Sequence, residues 1–221
     1  MGQKNCKDSL ISIFYSNVDQ LSNKFDELQL IVSESNPDMI ILTEVNPKNN
    51  RFQVSESEFK LDNYILYSNI GLVHNRGILI YVSEAIYSTT LTLDCCFEEH
   101  VAIQVTLDKK IVNLLAVYRS PNSSKNNNGN LLDLISSVCE KSGSETLILG
   151  DFNLPNINWK TLSTQRGTSS KEFEFLECIK DNFLTQHISF PTRQRGNDEP
   201  NILDLVLSRT DLLLTLQSTA L

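Results

Sequence analysis

The chain has 221 residues, 40% of them hydrophobic, which is enough to bury one sizeable core and fits one domain better than two. Its 19 Lys and Arg stand against 27 Asp and Glu, leaving a formal charge of -8. That balance argues against a generic nucleic-acid binder, whose affinity rests on Lys and Arg replacing phosphate counterions. A nuclease with a local basic rim stays open, because a carboxylate-lined metal site itself adds negative charge. The five cysteines (Cys6, Cys95, Cys96, Cys139, Cys178) form no Cys-x-x-Cys pair and no Cys/His zinc spacing, which suits a reducing compartment. No apolar run nears the roughly 18 residues that span a bilayer, and Met1 to Cys6 lacks the apolar core of a signal peptide. The expectation is an intracellular protein, nuclear or cytoplasmic, neither secreted nor in a membrane.

Leu10 to Tyr15 reads as a short buried strand. Leu21, Phe25, Leu28 and Val32 then recur at three- and four-residue spacing, an amphipathic helix ending before Pro37. Met39 to Leu42, Ile78 to Val82, His100 to Leu107 and Lys110 to Tyr118 read as strands, with a turn at Asp108-Lys109-Lys110. Pro121 to Asn130 is a polar loop, followed by a helix from about Leu131 to Glu140. Thr146 to Leu149 is a strand ended by Gly150, Trp159 to Ser170 a loop, and Lys171 to Asn182 a helix. Leu203 to Leu207 closes the series as the final strand. Strands and helices mixed without strict alternation predict an α/β sandwich, two sheets covered by helices.

Polar signatures sit directly after apolar strands: Ser16-Asn17-Val18-Asp19, Thr43-Glu44-Val45, Tyr118-Arg119-Ser120-Pro121-Asn122 and Gly150-Asp151-Phe152-Asn153. Strand ends are where a rigid core presents side chains to a cleft. Carboxylates and amides there suit a hard divalent cation such as Mg²⁺, which takes one or two carboxylates and keeps water and substrate oxygens. A second carboxylate can activate an attacking water, and Asn and Tyr can donate to phosphate oxygens where charge builds. Plainer roles compete. Asn17 and Asp19 are good caps for the helix that follows. Gly150 to Asn153 has turn residues, and Tyr118 could be a strand-end aromatic with its hydroxyl in water. Asp204 stands inside an apolar strand, where an unpaired carboxylate is costly. Trp159 reads as a packing anchor. His187 reads as a surface or satisfied histidine, and Arg193 with Arg195 as a basic rim or a solvated loop.

Taken in order, these motifs and Leu203-Asp204-Leu205-Val206-Leu207 resemble the exonuclease–endonuclease–phosphatase superfamily over about Leu10 to Leu207. The nearer likeness is to the endonuclease domain of non-LTR (LINE-type) retrotransposons. It is carried by Tyr118 to Asn122, Gly150 to Asn153 with Asn156 and Trp159, and Pro191-Thr192-Arg193 before Asp204. The resemblance implies a four-layer α/β sandwich, Mg²⁺ or Mn²⁺ as cofactor, and DNA as the nicked partner, with a reverse transcriptase domain in a longer parent protein. It implies Glu44 as principal metal ligand with Asp19 and Asn17 near it. It also implies Asp151 as the water-orienting group, Asn153 and Tyr118 on the phosphate, and Asp204 as buttress of a histidine. That histidine belongs to a Ser-Asp-His motif, and His74, His100 and His187 all precede Asp204. The expectation is therefore one domain lacking its last strand, with an exposed sheet edge and weak or absent activity. Two alternatives stand beside DNA nicking: hydrolysis of small phosphoesters, and a non-catalytic retroelement relic.

Overall fold

The computed structural model describes residues 11–48, 54–71, 75–193 and 200–209, together with the backbone of 214–218. Thirteen strands and three α-helices are seen among these residues. One sheet is built from β1 (Ile11–Asn17), β2 (Met39–Thr43), β3 (Tyr64–Asn69), β4 (Ile78–Ser83) and β13 (Leu214–Ser218), in the order β13-β1-β2-β4-β3. The other holds β5 (Ser88–Thr90), β6 (His100–Leu107), β7 (Lys110–Tyr118), β8 (Glu145–Asp151), β11 (Thr185–Gln186) and β12 (Asp204–Ser208), in the order β11-β12-β8-β7-β6-β5. Ile157–Asn158 (β9) and Ser163–Thr164 (β10) pair as a separate small hairpin.

Alternation along each strand assigns residues to layers. Ile13, Tyr15, Met39, Ile41, Ile78 and Ile80 face Ile103, Leu114, Leu147, Leu149 and Val206 between the sheets. Phe14, Ile40, Leu42, Leu79 and Tyr81 point the other way, onto α1 (Phe25–Ser35) through Leu28. On the far side Leu115, Val117, Ile148, Leu205 and Leu207 meet α2 (Lys125–Cys139) and α3 (Lys171–Asp181) through Leu131, Ile135, Phe175 and Ile179. This is helix, sheet, sheet, helix. Because both faces of each sheet are covered, β2, β4 and β8 read as continuous apolar runs instead of alternating ones.

Several sequence expectations need correction. The polar segment before Leu131 is helical from Lys125, because Ser124 caps it by accepting from the Asn127 N–H. Its first turns lie on the surface, so they carry no apolar stripe. The helix expected from Leu21 begins as a 3₁₀ turn, and α1 proper starts at Phe25 with no side-chain cap, so neither Asn17 nor Asp19 serves as one. Tyr64–Asn69 forms a strand that the sequence does not announce, since its residues are only partly buried. Among the described residues Leu203–Leu207 is not the last strand: Leu214–Ser218 follows it and pairs parallel to β1 at the edge of the first sheet.

Candidate active site

Residue parity brings the two sheets' polar ends together. Asn17 shares the inward face of Ile13 and Tyr15, Asp151 that of Leu147 and Leu149, and Tyr118 that of Leu114 and Ala116. β7 and β8 run parallel with Tyr118 beside Asp151, while antiparallel β12 begins with Asp204 opposite Asp151. On the first sheet Asn17 lies beside Thr43, so Glu44 follows at the same rim. The space between the sheets therefore ends in a layer of acids, amides and a phenol.

Asn17 joins the two halves. Its Nδ2 donates to Glu44 Oε1 at 3.0 Å and to Asp151 Oδ2 at 2.9 Å. Glu44 and Asp151 are 3% and 1% exposed. Glu44 holds φ at 56°, Asn153 at 49° and Asp19 at 38°, left-handed conformations that cost of order 1–3 kcal/mol each for such residues. Backbone bonds enforce them: Gln20 N donates to Glu44 O at 2.8 Å and Leu21 N to Val45 O at 3.0 Å. The Gly150 turn is likewise pinned. Arg119, 1% exposed, donates through Nη1 to Phe152 O at 3.2 Å and Asn153 O at 3.1 Å, and through Nε to Asn128 Oδ1 at 2.8 Å. Asn153 returns its Nδ2 to Arg119 O at 2.9 Å, and its backbone N–H donates to Asp151 Oδ1 at 3.1 Å.

Asp204, which has no evident partner in the sequence, gains one in the structure. The Tyr15 hydroxyl donates to Asp204 Oδ1 at 2.6 Å, and Thr192 Oγ1 accepts from the Asp204 N–H at 3.0 Å. Tyr118 is buried, with Glu44, Asp151, Arg76 and Glu99 as its charged neighbours. Asp19 joins the rim through Arg76, whose Nη2 bonds Asp19 Oδ1 at 2.5 Å and also Glu44 Oε2. Arg193 approaches Asp151 Oδ2 at 3.9 Å, which makes it a rim residue; Arg195 and His74 lie outside the described residues. His187 bonds Ser208 Oγ at 2.7 Å, at the far end of β12 from Asp204. His100 sits against Phe97 O at 2.7 Å, and burial lowers its pKa.

Negative charge outweighs positive here. Burial, then the charges of Asp204 and Glu44, hold the Asp151 carboxyl well above the usual carboxylate range. Burial raises Asp204 as well, against the opposing hydrogen bonds of Tyr15 and Thr192. For Asp19 burial is outweighed by the hydrogen bond and charge of Arg76, and its pKa falls. Glu99, which accepts from Arg76 N at 2.6 Å, is pushed from 4.5 up to about 7 by burial. In that window the folded chain binds more protons than the unfolded one, so Glu99 lowers stability as pH rises from 4.5 through about 7. Glu99→Gln should therefore gain stability over wild type at pH 8 and little at pH 4, read by urea unfolding at both. An equal difference at the two values would refute the assignment.

Sequence reasoning missed Arg76, Tyr15, Arg119 and Glu99. Arg76 had a readable signal, since it precedes an apolar strand, and a strand antiparallel to β2 starts where β2 ends. Oxygen donors dominate the rim, and among the described residues no group of three or more His, Cys, Asp or Glu is placed to hold a metal ion together. That donor set fits Mg²⁺ or Mn²⁺ held through one or two carboxylates, and does not fit zinc. The excess of buried carboxylate over guanidinium leaves charge that such a cation would offset.

Beyond the rim a cleft of about 1200 Å³ runs between the β9–β10 hairpin and the segments around His187 and Asn201. Lys160 and Arg166 line it, and none of its described lining residues is acidic. Trp159 lies along the cleft and packs on the helix-side core, as expected of an anchor.

Residues 112–220 match the family model described as "Endonuclease-reverse transcriptase". No curated protein matches the chain in sequence. Among solved structures, the endonuclease domain of TRAS1, a telomere-specific non-LTR retrotransposon, is similar with a TM-score of 0.64 at 13% identity, over 91% of this chain and 85% of that one. The 3'-5' exonuclease NExo from Neisseria meningitidis gives 0.62 at 18%, over 89% and 86%. The Neisseria 3' phosphatase NExo bound to product DNA hairpin gives 0.61 at 17%, over 91% and 87%. At these identities the structures speak for the fold, and the four layers agree with it throughout. Residues 112–220, just under half of the chain, carry the sequence match to the endonuclease–reverse transcriptase family, and the fold is that of these exonuclease and endonuclease structures.

Proposed function

We propose that the chain is a Mg²⁺- or Mn²⁺-dependent endonuclease that nicks DNA by in-line attack of water on a phosphodiester. The single observation that carries this reading is Asn17 bridging Glu44 and Asp151, which joins a cation-binding carboxylate to a proton-accepting one across two sheets. Glu44 would hold the cation, with Asp19 and Asn17 beside it. When bound, the cation supplies positive charge to the non-bridging oxygens of the phosphate and to the departing 3′ oxygen.

The rest falls to side chains of the rim. Asp151, held above the usual carboxylate range by its buried setting, orients the water and accepts its proton. With His187 bonded to Ser208 at the far end of β12 and His100 bonded to Phe97 O, the general base in this reading is the Asp151 carboxylate. Tyr118, whose hydroxyl stays protonated because burial raises its pKa, donates to a phosphate oxygen. Asn153 fixes the Asp151 carboxylate through its backbone N–H, and its side-chain amide holds the Arg119 carbonyl beside it. Asp204 with Tyr15 forms the wall behind Asp151.

Support for DNA over small phosphoesters comes from the cleft, whose described lining residues carry Lys160 and Arg166 and include no acid, on a chain of charge -8. A polyanionic strand could lie along it. The matched family's description pairs endonuclease with reverse transcriptase, which supports a nick made to prime reverse transcription. Two similar structures hold DNA products, that of NExo and that of the TDP2 of D. rerio.

The test is nicking of supercoiled plasmid beside hydrolysis of p-nitrophenyl phosphate, each in Mg²⁺ and in EDTA. Nicking is expected in Mg²⁺ only, with no comparable phosphomonoester hydrolysis. Glu44→Ala should shift the Mg²⁺ dependence more than any other rim substitution. Nicking that persists in EDTA refutes the reading, and strong monoester turnover without nicking favours the small-phosphoester alternative.

A further inference from the structure

Arg76 stands just before β4, which runs antiparallel to β2, so its backbone lies beside the end of β2 where Glu44 follows. Its root is fixed twice: its N–H donates to Glu99 Oε1 at 2.6 Å, and its carbonyl accepts from Asn46 N at 2.6 Å. Its side chain is buried, with 8% of the residue exposed. Nη1 donates to Asn46 O at 2.6 Å. Nη2 alone touches both Asp19 Oδ1, at 2.5 Å, and Glu44 Oε2. Nε is buried without a hydrogen-bond partner.

One nitrogen thus lies between oxygens of the two carboxylates to which the proposed function assigns the divalent cation. Mg²⁺ demands oxygens at about 2.0–2.1 Å, so it and the guanidinium cannot both own Glu44 Oε2. The orphaned Nε–H marks an arrangement in which one donor of the fork is sacrificed, a cost of about 1–3 kcal/mol for such a buried group. We infer that Arg76 is an intramolecular competitor of the divalent cation: it neutralises Glu44 and Asp19 before the cation arrives and gives up Glu44 Oε2 when it binds. This rests on the reading of Glu44 and Asp19 as metal ligands. The benefit is preorganisation, since without a resident cation two facing carboxylates would repel and one would turn out to solvent. The cost is weaker apparent affinity, because binding must displace the guanidinium.

The test reads cation binding directly, by titrating free Mn²⁺ with electron paramagnetic resonance in wild type, Arg76→Met, Arg76→Lys and Glu44→Gln. Arg76→Met is expected to tighten Mn²⁺ binding about tenfold or more, the size of one hydrogen bond between charged groups. Arg76→Lys should fall between it and wild type, and Glu44→Gln should lose the site. A second measurement needs no variant and so survives misfolding of Arg76→Met. In wild type, phenylglyoxal labelling of Arg76, followed by peptide mass, should rise at saturating Mn²⁺ and return on adding EDTA. Glu44-dependent Mn²⁺ binding that Arg76→Met leaves unchanged or weakens, with labelling indifferent to Mn²⁺, overturns the competition alone. Mn²⁺ binding that is absent, or indifferent to Glu44, overturns the metal assignment and the competition with it.

Discussion

Asp151→Asn is expected to cut plasmid nicking by about 10²–10⁴-fold, the usual contribution of a positioned general base, without loss of fold. Asn keeps the shape of the side chain, but its single acceptor oxygen can keep only one of the two bonds, that from Asn17 Nδ2 to Oδ2 or that from the Asn153 N–H to Oδ1. What it loses is the negative charge that takes the water's proton. That charge is unfavourable to the fold. Asp151 is buried beside Asp204 and Glu44, and its pKa is raised well above the usual value, so ionising it weakens the folded state. The relieved charge offsets the lost bond, so the variant should melt close to wild type while nicking fails, a trade of stability against activity at one residue. A lower melting temperature with nicking retained would show that Asp151 is structural.

Gly150→Ala should have the opposite character, large in stability at any pH. Gly150 has φ of 148°, and an added Cβ would stand 1.9 Å from Val117 O and 2.8 Å from Val117 C. Those are backbone atoms of the parallel neighbour β7, at the centre of its sheet, so nothing nearby can swing aside. Relief requires β7 and β8 to separate at the position immediately before Asp151. A loss of more than about 4 kcal/mol is expected, against a total stability of about 5–15 kcal/mol for a typical protein. Circular-dichroism melting and soluble yield check it; an alanine variant with wild-type melting would mean the strands separate easily there.

The layering was legible because apolar runs at Met39 to Leu42, Ile78 to Val82 and Thr146 to Leu149 are long and unbroken. The rim was legible because Asn17, Glu44, Tyr118, Asp151 and Asp204 each mark the end or start of such a run. Other features had no local signature. Tyr64–Asn69 is an edge strand whose residues are only half-buried, and β13 adds its backbone to β1 from a stretch that reads merely as short and apolar. Tyr15 looks like any core aromatic, and its hydroxyl gains meaning only when Asp204, 189 residues away, is packed against it. Arg119 is flagged by its neighbours but not by itself, since its role is to clamp carbonyls of a distant turn. Such pairings are made by the tertiary fold, and no spacing along the chain encodes them.

The most direct measurement of the central claim is single-turnover nicking of supercoiled plasmid in ¹⁸O-water, comparing wild type with Asp151→Asn. Water attack with cleavage of the P–O3′ bond puts the water oxygen on phosphorus and its proton on the base, and the 3′ oxygen leaves to become a hydroxyl. Wild type in Mg²⁺ is therefore predicted to yield a nick with a polymerase-extendable 3′-hydroxyl and one ¹⁸O in the 5′-phosphate. Asp151→Asn and the EDTA control should yield almost none. A wild-type protein that is folded and binds Mn²⁺ but leaves the plasmid intact would contradict the account, as would nicks of equal yield from the variant.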